Sequence, residues 1–152
     1  MAKANKYGNE FSGVSADSVA NAIKAINDFV ASLNAVDYSS SGCFAMSTNA
    51  KYDGTYNNGI EYLKGTDIAS MVTLCNSCSS VLGDLQTYIS KYSTYEKAYE
   101  TYNTAYETYN TAYKSWTKDK KKAKPTEPSD ADIKQKETEL KELAKSINSA
   151  SF

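Results

Sequence analysis

From Met71 to Trp116 the apolar and aromatic positions advance by alternating steps of three and four residues without a break. Met71, Leu74, Cys78, Val81 and Leu85 lead into Tyr88, Tyr92, Tyr95, Tyr99, Tyr102, Tyr106, Tyr109 and Tyr113, and Trp116 closes the series. This is the rhythm of heptad positions a and d, which puts every member on one side of one helix. The pattern predicts a helix over 66–118 with Thr66 as N-cap. At about 1.5 Å per residue its seam is roughly 70 Å long. Within it the heptads beginning at Tyr95, Tyr102 and Tyr109 repeat Tyr-x-x-Ala-Tyr. A period of seven propagates a helix and does not stack modules. Gly83 lies off the seam and costs about 1 kcal/mol against alanine.

Two shorter helices flank it. Val19, Ile23, Ile26, Val30 and Leu33 repeat the same spacing over 16–36, with Ala22, Phe29 and Val36 widening the stripe. Ser15 supplies an N-cap, and Asp17 complements the helix dipole. Ile133, Leu140, Leu143 and Ile147, with Ala144 beside them, mark a helix over 130–148 capped by Ser129. Residues 119–129 form a linker with a lysine run and the two prolines, Pro125 and Pro128, which end a helix. So short a linker places the last helix antiparallel to the long one, over about Tyr95 to Trp116. Residues 37–65 are a Gly/Ser/Asn-rich turn region containing Tyr38, Phe44, Tyr52, Tyr56 and Tyr62. A small hairpin about Asp53-Gly54 and a helical turn from Asn58 through Leu63 fit there. Residues 1–14, polar and interrupted by glycine, read as a loose arm. The expected architecture is a single all-α domain, an elongated helical hairpin or bundle around one coiled-coil-like helix.

A tyrosine seam makes a demand that a leucine seam does not, because each buried hydroxyl needs a partner. Ala98, Ala105 and Ala112 at position g let a neighbouring helix approach. Glu96, Asn103 and Asn110 at position e can meet hydroxyls at the edge. The wide stripe predicts more than one neighbour. The rings either hold an intramolecular hairpin together or partly face another chain, as interface aromatics do. The last helix offers few large apolar side chains against the tyrosines it would cover. That shortfall selects Tyr99, Tyr102, Tyr106, Tyr109 and Trp116 as candidate partner contacts.

Composition narrows the chemistry. The 17 basic residues are all lysine, histidine is absent, and the formal charge is -1. A near-neutral chain gives no electrostatic reason to bind nucleic acid or an anionic membrane. No histidine base or imidazole ligand is available, and no phosphate-binding loop or hydrolase motif occurs. The lysine run at 120–124 reads as a solvated turn or an anion patch. An enzyme is therefore not expected, nor a cofactor or metal. Cys75 and Cys78 have zinc-like spacing, but with Cys43 they make three ligands at most, short of the four that structural zinc wants. A Cys-dependent metal or redox protein stays open as an alternative to buried apolar filler. Neither a signal-peptide core nor a membrane span is visible, so the expected location is the cytoplasm, or outside the cell by a route without a cleaved signal.

The order helix, polar Gly/Ser-containing turn region, helix over about 15–100 resembles the WXG100 superfamily and the small helical partners of LXG proteins in type VII secretion. The family's Trp-x-Gly is absent; Ser41-Gly42-Cys43 or Asn58-Gly59 stands in the turn region. Tyr92-Ser-Thr-Tyr-Glu96 matches the family's Tyr-x-x-x-Asp/Glu export signal. The long turn region and the third helix depart from the compact family hairpin. The resemblance implies a secreted or co-secreted helical partner of a larger effector. The functional expectation is a non-enzymatic interaction protein, pairing with a helical protein or with itself. A self-assembling subunit of a phage particle or filament is the alternative.

Overall fold

A computed structural model describes residues 3–35, 56–57, 60–61, 65–121 and 123–151. The chain is all-α in class. Among the described residues the helices are α1 (Ala16–Ala35), α2 (Gly65–Lys118) and α3 (Ala131–Asn148). Between α1 and α2, β1 (Tyr56–Asn57) pairs antiparallel with β2 (Ile60–Glu61), Tyr56 opposite Glu61 and Asn57 opposite Ile60. The strand at Ile60–Glu61 replaces the expected helical turn. Asp53-Gly54, Cys43, Val36 and the aromatics Tyr38, Phe44, Tyr52 and Tyr62 lie outside the described residues. The long helix begins at Gly65, so Thr66 sits inside it rather than capping it. Asp130 takes the N-cap position of α3; Ser129 still serves, its Oγ accepting from the Ala131 N–H at 3.3 Å.

The described residues divide into two compact units. The first comprises those within 1–15 and 84–150, and the second those within 16–83 together with Ser151. The first unit holds a well-formed core of Tyr88, Tyr92, Tyr95, Tyr102, Tyr106, Ile133, Leu140 and Ala144. Seam and α3 meet here as the heptad pattern requires, since burying an apolar stripe is what stabilises a helix in water. In the second unit the α1 stripe is the less exposed face, and Val19 is its one buried residue. Phe29, which the sequence placed at its margin, is 49% exposed.

α3 is antiparallel to α2 but covers an earlier stretch than expected. Lys91 Nζ meets Glu139 Oε2 at 2.7 Å, and Thr87 and Lys91 share a shallow groove with Glu139, Leu143 and Ser146. The contact thus centres on about 87–102, not 95–116. The cause is the linker, whose prolines forbid helix. It runs back beside the seam, with Pro125, Glu127 and Pro128 half-buried and Lys124 Nζ 5.7 Å from the Trp116 ring. Chain without helix covers about twice the distance per residue that a helix does, so α3 starts farther back.

Gly83 lies within α2, and a Cβ built there meets nothing within 4 Å. Gly83→Ala should therefore stabilise the protein by about 0.5–1 kcal/mol through helix propensity alone, read as a raised midpoint in thermal unfolding.

Candidate functional site: a ladder of tyrosine hydroxyls

From Tyr88 to Tyr102 the d-position tyrosines accept from the main chain of residues 4–10, and the a-position tyrosines donate to it. Tyr88 Oη accepts from the Glu10 N–H at 3.2 Å, Tyr95 Oη from the Tyr7 N–H at 2.6 Å, and Tyr102 Oη from the Ala4 N–H at 3.3 Å. Between them the Tyr92 hydroxyl donates to the Tyr7 carbonyl and the Tyr99 hydroxyl to the Ala4 carbonyl, both at 3.1 Å. Residues 3–11 are thus no loose arm. They lie along the seam, antiparallel to α2, and are held through their main chain.

The register follows from two element geometries. Seven helical residues rise about 10.5 Å. Three residues of extended chain span about 9–10 Å. One heptad therefore matches three arm residues, and bonds fall at residues 4, 7 and 10 against tyrosines seven apart. Extended chain against a helix cannot satisfy its own N–H and C=O groups. Leucines would leave them orphaned, whereas tyrosines fill the space and supply both donor and acceptor. This accounts for the tyrosines in the covered part of the seam. The edge residues expected to meet the hydroxyls have other fates. Glu96 pairs with Lys6 Nζ at 2.7 Å, and Asn103 Oδ1 is buried without a hydrogen-bond partner. Of the small g residues, Ala98 packs on the core while Ala105 and Ala112 are exposed.

Arm side chains seal the groove. The Phe11 ring stands edge-on to Tyr88 with centroids 4.8 Å apart, and Tyr7 stands edge-on to Tyr95 at 6.2 Å. Lys141 of α3 places its ammonium 5.4 Å from the Tyr7 ring, and the Tyr7 hydroxyl donates to Glu10. Consecutive seam rings from Tyr88 to Trp116 keep centroids 5.4–6.3 Å apart, within the favoured range for aromatic pairs. Lys6–Glu96 and Lys3–Glu107, at 2.7 and 3.9 Å, flank the arm as exposed ion pairs. Solvent screens such exposed pairs, so they add little to stability.

The five candidate contacts divide. Tyr102 and Tyr106 are buried in the intramolecular core, and Tyr99 and Tyr109 pack against it half-buried. Trp116 is half-buried, with the Lys120 and Lys124 ammonium groups 5.8 and 5.7 Å from its ring. The arm residues Ala4, Tyr7, Glu10 and Phe11 were missed by sequence reasoning. The available signal was a surplus of hydroxyls over partners on α3, beside a polar segment carrying Tyr7 and Phe11. The two residues of the export-signal match are both engaged by this arm, Tyr92 through Tyr7 and Glu96 through Lys6.

Burial pushes the hydroxyls of Tyr7, Tyr92 and Tyr95 above the ordinary value near 10. For Tyr95 the bond from the Tyr7 N–H pulls the other way without reversing the shift. A raised phenol favours its neutral form in the folded state. The associated stability is intact below pH of about 10 and is lost as pH rises above it. Alkaline titration should release the arm before α2 and α3 melt, seen as early loss of near-ultraviolet circular dichroism with helicity retained. Coincident loss of both signals would contradict this.

Cys75 and Cys78 are free thiols on α2, both half-buried. Among the described residues no group of three or more His, Cys, Asp or Glu side chains gathers to hold a metal, and no helix is long and apolar enough to cross a membrane. In comparisons with known proteins, the chain matches no family model, no curated protein and no solved structure.

Proposed function

We propose that the protein is a non-enzymatic helical interaction protein, an adaptor or secretion partner that pairs with an amphipathic helix of a larger protein. The tyrosine-laddered unit serves as its scaffold, and the contact surface is α1 with the early turns of α2. One observation carries this reading. Both helices have a continuous apolar stripe, yet Val19 is the one buried residue of α1, no residue of 69–83 is buried, and Phe29 and Leu74 are 49% and 47% exposed. Helices with half-covered apolar faces are the usual way to receive a third helix. The type VII secretion reading is supported by the order of α1, turn region and α2, and an export receptor reading Tyr92 and Glu96 would first have to displace the arm.

The test is the double variant Phe29→Asp/Leu74→Asp. Both side chains face solvent, so helicity and melting temperature should change little. Purification from the native cell should yield a defined complex with one larger helical protein, and the double variant should lose it. Retention of that complex by the variant would reject the surface. Light scattering of the wild-type chain alone distinguishes the alternative, since mass rising with concentration and suppressed by the double variant would identify a self-assembling subunit.

A further inference from the structure

We propose that the tyrosine ladder is also an interaction surface between copies of this chain, and that what it takes from a second copy is the same arm, residues 3–11. This inference is independent of the helical partner proposed above, because Phe29 and Leu74 take no part in it.

Four observations carry it. Five arm atoms bonded to the ladder hydroxyls are main chain: N–H and C=O of Ala4 and Tyr7, and N–H of Glu10. What packs with those bonds, the Tyr7 and Phe11 rings and the pairs Lys3–Glu107 and Lys6–Glu96, travels with the same segment. Arm and ladder are joined only through a long stretch of sequence, 78 to 98 residues for the bonded pairs. Lastly, the arm ends in a turn that is easily opened. The Val14 N–H donates to the Phe11 carbonyl at 3.2 Å, and Gly13, third residue of that turn, has φ of 93°. A hydrogen-bonded turn with positive φ at its third residue is of type II, which favours glycine there. Residues 12–15 are exposed, so straightening the turn breaks that bond and uncovers no core.

The contacts are therefore identical whether the arm belongs to the same copy or to another. Only the turn and the effective concentration of a tethered arm favour the closed form. Exchange of an identical element is a low-cost route to a dimer. A change that forbids the turn and spares the arm should shift the balance from closed monomer to arm-exchanged dimer.

Gly13→Val in the full chain is that change, since a β-branched residue resists positive φ and favours extended chain. At micromolar concentration its light-scattering mass should be that of a dimer. In an equal mixture of chains labelled with different isotopes, filtered NOEs should connect the Phe11 ring of one copy to the Tyr88 ring of the other. Adding Tyr95→Phe and Tyr102→Phe should weaken the dimer roughly tenfold or more, because two partly buried amides lose their acceptors. A Gly13→Val chain that stays monomeric overturns the proposal, whether its arm amides are protected or not. So does a dimer without the cross-copy NOE, or one unaffected by the phenylalanine substitutions. Should Gly13→Val not fold, differently labelled wild-type chains refolded together at millimolar concentration must show the same cross-copy NOE, and its absence overturns the proposal equally.

Discussion

Tyr95→Ala is expected to lower the free energy of unfolding by about 3–5 kcal/mol. Tyr95 is 1% exposed, stands between Tyr92 and Tyr99, and meets Tyr7 edge-on. Removing it opens a cavity against flat rings that cannot collapse into it, and leaves the Tyr7 N–H without its acceptor. The two contributions separate by comparison with Tyr95→Phe, which keeps the ring and loses the oxygen. That variant should cost about 1 kcal/mol or more, because a partly buried donor loses its acceptor. If the seam were only apolar filler, phenylalanine would be neutral or stabilising. Urea titration of both variants measures the difference, with Tyr113→Ala, at a half-buried position toward the end of the seam, as a smaller reference. Equal stability of wild type and Tyr95→Phe would contradict the role assigned to the hydroxyl.

Leu140→Ala should cost about 2–5 kcal/mol. Leu140 is fully buried, seven residues beyond Ile133 and four before Ala144, and these three are the α3 residues in the tyrosine core. It is the largest α3 side chain with no exposed surface, and the rings around it are too stiff to close the gap. Leu143 packs at the margin of the same core, so Leu143→Ala should cost distinctly less. The comparison fixes the rotation of α3 on α2. Equal costs at 140 and 143, measured by the same titration, would mean that α3 presents a different face.

Periodicity alone located the helices because burial on one side writes itself into the spacing of Val19 to Leu33, Met71 to Trp116 and Ile133 to Ile147. It could not locate the arm. Ala4, Tyr7 and Glu10 are held through their N–H and C=O groups, which every sequence but proline possesses, so no side-chain code marks them. What the sequence did show was the complementary need, more hydroxyls and rings on the seam than α3 could satisfy. Part of the cover proved to be the chain's own arm and linker. The register of α3 was missed for a related reason. Pro125 and Pro128 announced the end of α2, but how far the linker runs beside the seam depends on contacts such as Lys124 with Trp116, which composition does not reveal. The candidate contacts share the same ringed face, where Tyr102 and Tyr106 are buried, whereas Phe29 and Leu74 stand out by exposure and not by pattern.

The hydroxyl ladder holds an extended main chain, and amide hydrogen exchange at Ala4, Tyr7 and Glu10 reads that contact directly. These three N–H groups should exchange roughly a hundredfold or more slowly than in a free peptide, and Tyr95→Phe should release Tyr7 first. Exchange of all three at the rate of an unstructured peptide, with α2 and α3 still protected, would contradict the ladder and leave the tyrosines of the seam without an explanation.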